Sequence, residues 1–291
     1  MRTNASVFLG DGFEAPYIAA AYYLIERFVS KTVADRYFQM EGGSMTARVG
    51  MAMTTIGETI FELRDRPALV EFCRRLRTRD PNSAFQEAMA ARLFMENDFA
   101  ITAISESGVK GRDFDFRAKK AGQTVCVEVT TLRAPVYSEA TLKNAFAAKV
   151  KQMPKDKPGV IWCVVPSVWL AEQDAPAKLA AQAHRLFGVS KRVNAVVYLG
   201  EQYDAVSAAK GDYGMLQFRS IAVLNKHARN QCDALFFLTS ESGEDQAKNP
   251  VLGELEDEVS LHRVMRNRPF FHWVDDLVGR RFDEDGAGAS A

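Results

Sequence analysis

The residues most able to do chemistry are carboxylates set at strand spacing. Gly111-Arg112-Asp113-Phe114-Asp115-Phe116 is followed, beyond a turn at Gly122, by Val125-Cys126-Val127-Glu128-Val129-Thr130. Side chains alternate along a strand, so Asp113 and Asp115 share a face, as do Glu128 and Thr130, while Val125, Val127 and Val129 turn towards a core. A carboxylate in the middle of Val-Cys-Val-Glu-Val is costly to bury unless it is paired or holds a metal. A hard divalent cation such as Mg²⁺ suits this arrangement: one or two carboxylates, a carbonyl and open water positions. The plain alternative is an edge hairpin whose Glu128 faces water. Asp115 then reads as a solvated or outer neighbour of the site.

The elements that must position these residues follow from periodicity. Up to residue 80 apolar residues recur at helical spacing (Ile18, Tyr22, Leu24, Ile25, Phe28; then Ile56, Ile60, Phe61, Leu63), which predicts a helical N-terminal region. Asp80-Pro81-Asn82-Ser83 is a helix-start cluster for a helix running to about residue 97. Short strands are expected at 99–104, 113–117 and 124–130, then a helix over 139–153 and a fully apolar strand at 160–165. A helix at 176–187 and strands at 195–199, 218–224 and 234–238 complete an alternating α/β pattern. From residue 252 the chain reads as one or two helices and an acidic tail over 283–291.

An acid on a helix, an acid opening a hairpin, Glu-x-x on its second strand, and then a helix bearing Lys and Gln resemble the PD-(D/E)xK nuclease superfamily. Fourteen residues separate Asp113 from Glu128, a hairpin-sized gap. The resemblance covers roughly residues 83–200 and implies a restriction-endonuclease-like α/β fold, a mixed sheet flanked by helices. It implies Mg²⁺ (or Mn²⁺) held by Asp113, Glu128 and the Val129 carbonyl, with Glu87 as the helix acid. Arg112 stands where the family has proline, and Thr130 where it has the motif lysine. Threonine orients water but adds no charge, so a lysine must come from elsewhere. At ~100° per residue, Leu142, Phe146, Val150 and Met153 define the buried stripe of the 139–153 helix. Lys149 lies on its shoulder and Lys151 nearly opposite, which makes Lys149 the candidate replacement. Gln152, Lys151 and Lys155 are the candidate nucleic-acid contacts.

The expected activity is phosphodiester hydrolysis in nucleic acid, DNA ahead of RNA, with a homodimer left open. The alternative is a catalytically degenerate member of the fold that binds nucleic acid or protein. The organisation expected is a helical region over 1–80, a nuclease-like core over 81–240 and an acidic helical extension over 241–291. Lys+Arg and Asp+Glu both number 37, which excludes a globally basic coat. That balance hides an asymmetry, because residues 239–291 hold 6 basic and 12 acidic side chains. Cys73, Cys126, Cys163 and Cys232 form no CxxC pair, so buried reduced thiols are expected rather than zinc or disulfides. No apolar run is long enough for a membrane span and no secretory h-region is seen, so the expectation is a cytoplasmic protein without membrane contact. Neither a phosphate-cradling glycine loop nor a nucleophile elbow occurs.

Overall fold

The structure, a computed structural model, describes residues 15–38, 47–105, 107–109, 112–208, 211–238, 269–270 and 272–277. It is an α/β protein with N-terminal helices and a six-stranded mixed sheet flanked by helices. Contacts divide the chain into two units, one holding residues 1–65 with 241–291 and the other residues 66–240.

The first unit contains α1 (Ala15–Phe28), α2 (Lys31–Phe38) and α3 (Ala47–Leu63). The apolar stripes read from the sequence are its core, with Ile18, Leu24, Ile25, Ile56 and Ile60 all buried. Gly57 lets α1 and α3 meet closely: a Cβ there would lie 2.5 Å from that of Ala21. Phe270 and Trp273, part of the aromatic cluster near the C-terminus, pack on Phe61 with ring centroids at 5.8 and 5.3 Å. Tyr17 Oη donates to Asp275 Oδ1 at 2.6 Å. The acidic tail at 283–291 lies outside the described residues.

The second unit begins earlier than residue 80, because α4 (Ala68–Thr78) packs against the sheet. Then come α5 (Pro81–Glu96), β1 (Ala100–Ala103), β2 (Phe116–Lys120) and β3 (Gln123–Thr131). Asp80 caps α5, accepting from Ser83 N at 3.0 Å, with Pro81 in the first turn. Next are α6 (Glu139–Gln152), β4 (Gly159–Val164), a short α7 (Ser167–Leu170) and α8 (Ala175–Val189). The strands β5 (Val193–Ala208) and β6 (Gly211–Leu224) precede a 3₁₀ turn at Asp233–Leu238.

Spatial order follows chain order: β1, β2 and β3 are antiparallel neighbours, β3, β4 and β5 run parallel, and β6 returns antiparallel. Helix crossovers make the parallel pairs possible and cover one face, and α5 covers the other. Val125, Val127, Val129, Val160, Trp162 and Val164 face α5 through Ala90, Ala91 and Phe94. Ile161, Cys163 and Val165 face Leu142 and Phe146 of α6 and Leu179 and Ala183 of α8. β4 is therefore buried along its whole length, which is why it reads as an unbroken apolar run.

Three sequence expectations need correction. The second strand begins at Phe116, so Asp113 and Asp115 precede it rather than open it. β5 and β6 are much longer than expected, because beyond the stretch paired with β4 they continue as a hairpin in which each pairs with the other. The 234–238 strand is instead a 3₁₀ turn: Gln123 Oε1 accepts from Ala234 N at 3.0 Å, and Leu235 drops into the core.

Candidate functional site

The β2–β3 hairpin sets the register of the site. Its two-residue turn, Ala121-Gly122, has φ of +48° and +79°, the left-handed pair of a type I′ turn. Pairing runs from Lys120↔Gln123 to Phe116↔Val127. Just before this paired stretch the register breaks, with Asp115 N donating to Val127 O at 3.1 Å. Val129 N donates to Asp115 Oδ2 at 2.8 Å, so the Asp115 side chain is tied to the strand that carries Glu128.

The helix α4 brings two arginines to this point. Arg75 lies on the buried stripe of α4 with Ala68, Phe72 and Leu76 and is only 3% exposed. Its Nε donates to Glu71 at 3.1 Å and its Nη1 to Glu87 Oε2 at 3.0 Å, while Nη2 donates to the Ile104 carbonyl. The same Nη1 lies 3.4 Å from Asp115 Oδ1. Arg79, one turn on, donates through Nη1 to Asp115 Oδ1 at 2.8 Å and also to Glu87 Oε1. Glu71 is held far below the usual carboxylate range, to about 2, chiefly by the Arg74 hydrogen bonds with help from Arg75.

Across the site, Glu128 is 1% exposed and has one side-chain partner, Lys149 Nζ from α6, which donates to its Oε1. Its other oxygen, Oε2, is buried without a hydrogen-bond partner. Burial, and after it the negative charge of Asp115, pushes the Glu128 carboxyl up to about 8, with Lys149 pulling the other way. Glu87 is raised to about 7 by burial and then by Asp115, against the pull of Arg79 and Arg75.

All of this opens onto a cleft of about 620 Å³. Its lining includes Glu87, Asp113, Asp115, Glu128, Val129, Thr130, Lys149 and Gln152, together with Arg79, Asp80, Ser83 and Arg133. The chain matches no protein-family model, no curated protein and no solved structure.

Of the residues expected at the site, Glu87, Asp113, Glu128, Val129, Thr130, Lys149 and Gln152 line this one cleft, whereas Lys151 and Lys155 are exposed and outside its lining. Asp113 sits on the cleft wall with Oδ1 accepting from Ser107 N at 2.7 Å and Ser107 Oγ at 2.6 Å, which lowers its pKa. The carboxylate beside Glu128 is Asp115. Arg75 and Arg79 went unread in the sequence, although an arginine seven residues after Ala68 on an apolar helical stripe is a signal of a buried cation.

Among the described residues, no group of three or more His, Cys, Asp or Glu side chains is arranged to hold a metal. The set that fits a hard cation is smaller: Asp115, Glu128 and the Val129 carbonyl, all oxygen donors. The orphaned, buried Oε2 of Glu128 and the mutual repulsion of Glu128 and Asp115 are the features that a divalent cation would relieve.

Proposed function

We propose that residues 66–240 form a nuclease core of the PD-(D/E)xK type, with the restriction-endonuclease-like fold, that hydrolyses phosphodiester bonds in nucleic acid, DNA ahead of RNA. The observation that carries this reading is the Lys149–Glu128 pair beside Asp115 in one cleft: a strand acid, a second acid tied to that strand and a lysine from the next helix. In this reading Asp115 takes the ligand role expected of Asp113, and Lys149 stands in for the lysine that Thr130 replaces.

Asp115, Glu128 and the Val129 carbonyl would hold Mg²⁺ or Mn²⁺. When bound, such a cation polarises a scissile phosphate and makes a nearby water molecule more acidic. The chain's own groups do the rest. Lys149 offsets charge developing on the phosphoryl oxygens, in a cleft where a fixed cation counts for more than in water. Thr130, two residues beyond Glu128 on the same strand face, orients the attacking water through its hydroxyl. Glu87 fixes the two arginines that grip Asp115. Gln152 and Arg133 line the cleft, where a phosphate backbone would lie.

A non-catalytic nucleic-acid or protein-binding module is the second reading. It is favoured by the uncharged Thr130 and by the hold of Arg79 on Asp115. The test is cleavage of labelled duplex DNA, single-stranded DNA and RNA in Mg²⁺ and Mn²⁺, wild type beside Glu128→Ala. Cleavage that chelator and the substitution both abolish supports the nuclease. Binding of nucleic acid by both proteins, with cleavage by neither, supports the second reading.

A further inference from the structure

We propose that this cleft takes one divalent cation per chain, and that the buried Arg75 guanidinium occupies the place of a second by bridging Glu87 and Asp115. Arg75 is then a positioning residue, a fixed charge where a two-ion site would put a metal. The inference rests on the metal-site reading above and adds the number of ions and what limits it.

Asp115 is close to both other acids, since its charge raises the carboxyls of Glu87 and of Glu128 alike. A two-ion site, with its metals about 3.5–4 Å apart, would use Asp115 between them, one ion towards Glu128 and the other towards Glu87. The second of these places is filled by protein. Arg75 Nη1 lies 3.0 Å from Glu87 Oε2 and 3.4 Å from Asp115 Oδ1. Arg79 Nη1 donates to Glu87 Oε1 and, at 2.8 Å, to the same Asp115 Oδ1. Both oxygens of Glu87 and one of Asp115 therefore already carry guanidinium charge. A dication shared by these carboxylates would meet like charges where water is scarce.

Arg75 is not a movable counter-ion. It is 3% exposed, its Nε donates to Glu71 at 3.1 Å, and its Nη2 donates to the Ile104 carbonyl. Moving it would break these bonds together and strand a buried charge, which is strongly destabilising. The Glu128 side differs. Glu128 Oε2 is buried with no hydrogen-bond partner. Asp115 Oδ2 accepts from Val129 N–H at 2.8 Å, which leaves that oxygen a second lone pair. These two oxygens and the Val129 carbonyl suit one hard cation completed by water. Asp115 thus divides its carboxylate, Oδ1 to the arginines and Oδ2 to the strand that carries Glu128.

The test is a Mn²⁺ titration of the full chain, followed by the spin-resonance signal of free Mn²⁺, for wild type, Arg75→Gln and Glu128→Gln. Wild type should bind one Mn²⁺ per chain, with the spectrum of an isolated ion, and Glu128→Gln should lose it. Arg75→Gln, checked for folding by circular dichroism, should gain a second Mn²⁺ on the acids it uncovers. Two ions per wild-type chain, or a spin-coupled pair, overturn the inference and leave the metal site standing. A folded Arg75→Gln that still binds one ion overturns it too, because the count is then set by something else. No binding by wild type, or binding by Glu128→Gln equal to wild type, overturns the metal site and the inference with it. The wild-type count decides the matter if Arg75→Gln does not fold, together with a second wild-type measurement. That is modification by an α-dicarbonyl reagent, mapped by mass spectrometry: Arg75 should stay protected in saturating Mn²⁺, and Mn²⁺-induced reaction at Arg75 would mean that the ion expels it.

Discussion

On the α4–α5 wall of the cleft, two arginines and two carboxylates are cross-linked so that each side chain meets at least two partners. On the β3–α6 wall, Glu128 has one partner, Lys149, and one buried oxygen with none. The charges are alike in kind and nearly alike in burial, yet the first wall is saturated and the second is not. Saturation is what a scaffold needs, since every buried lone pair or proton left over costs free energy. An unsaturated buried carboxylate is tolerated where a ligand completes it. The contrast singles out Glu128 Oε2 as the place where, under the proposed function, a ligand would complete the site, while the arginines hold Asp115 in position.

The largest test of that contrast is to cut one cation from each wall. Arg75→Met should cost about 3–5 kcal/mol, because it strands Glu71, Glu87 and Asp115 around a missing charge. Lys149→Met should cost less than about 2 kcal/mol at pH 6, where Glu128 can hold a proton instead of a partner. Urea unfolding of both variants checks this. Equal losses would mean that the two walls are one structural network.

Activity should invert the order. Lys149→Met is expected to lower kcat by about 10²–10³-fold, the usual effect of removing one fixed donor from developing phosphoryl charge. Arg133→Gln, which unpairs only the exposed Asp80, should lower it by less than about tenfold. Steady-state cleavage of a short labelled duplex separates the two. A fully active Lys149→Met would remove Lys149 from the chemistry and leave it as a mere partner of Glu128.

The same contrast has a pH signature in metal-free protein. Glu128 and Glu87 have folded values raised to about 8 and about 7, so between the ordinary glutamate value near 4.5 and these limits the folded state binds more protons than the unfolded one. Stability must then fall as pH rises through that window. Glu71 acts in reverse: lowered to about 2, it withdraws stability as pH drops below 4.5. Melting temperatures should peak near pH 5 and decline towards pH 8. Glu128→Gln should flatten the alkaline decline, and saturating Mn²⁺ should do the same in wild type. A decline that persists unchanged in Glu128→Gln would mean that Glu128 is not the strained group.

Two residues of the β3–α6 wall, Glu128 and Lys149, were legible in the sequence. Glu128 stood out because a charged residue between valines is expensive, and Lys149 because helix geometry set it on the shoulder of a buried stripe. Both were readable because each lies inside a regular element with a known period. Asp115 was harder. Asp113 and Asp115 precede the strand, so alternation could not rank them, and the choice is made by Ser107 holding one and Val129 N–H holding the other. The arginines of the saturated wall lie on α4, a helix read from the sequence as part of the 1–80 helical region. Their contacts with Glu87 and Asp115 span 8 to 40 residues, and no local pattern reports a contact of that kind. The length of β5 and β6 was hidden for a similar reason, since beyond the stretch paired with β4 each is paired only with the other.

The smallest expected effect concerns the turn that joins the walls' geometry. Ala121 adopts φ of +48° beside Gly122 at +79°, a left-handed conformation that an alanine Cβ resists and that Asn-Gly accepts readily. Ala121→Asn should raise stability by about 0.5–1 kcal/mol. Because Val129 N–H already ties Asp115 to the strand that carries Glu128, the substitution should leave kcat and Mn²⁺ affinity within about twofold. If it changes either strongly, the turn tunes the distance between the carboxylates, and the hairpin is part of the site rather than its support.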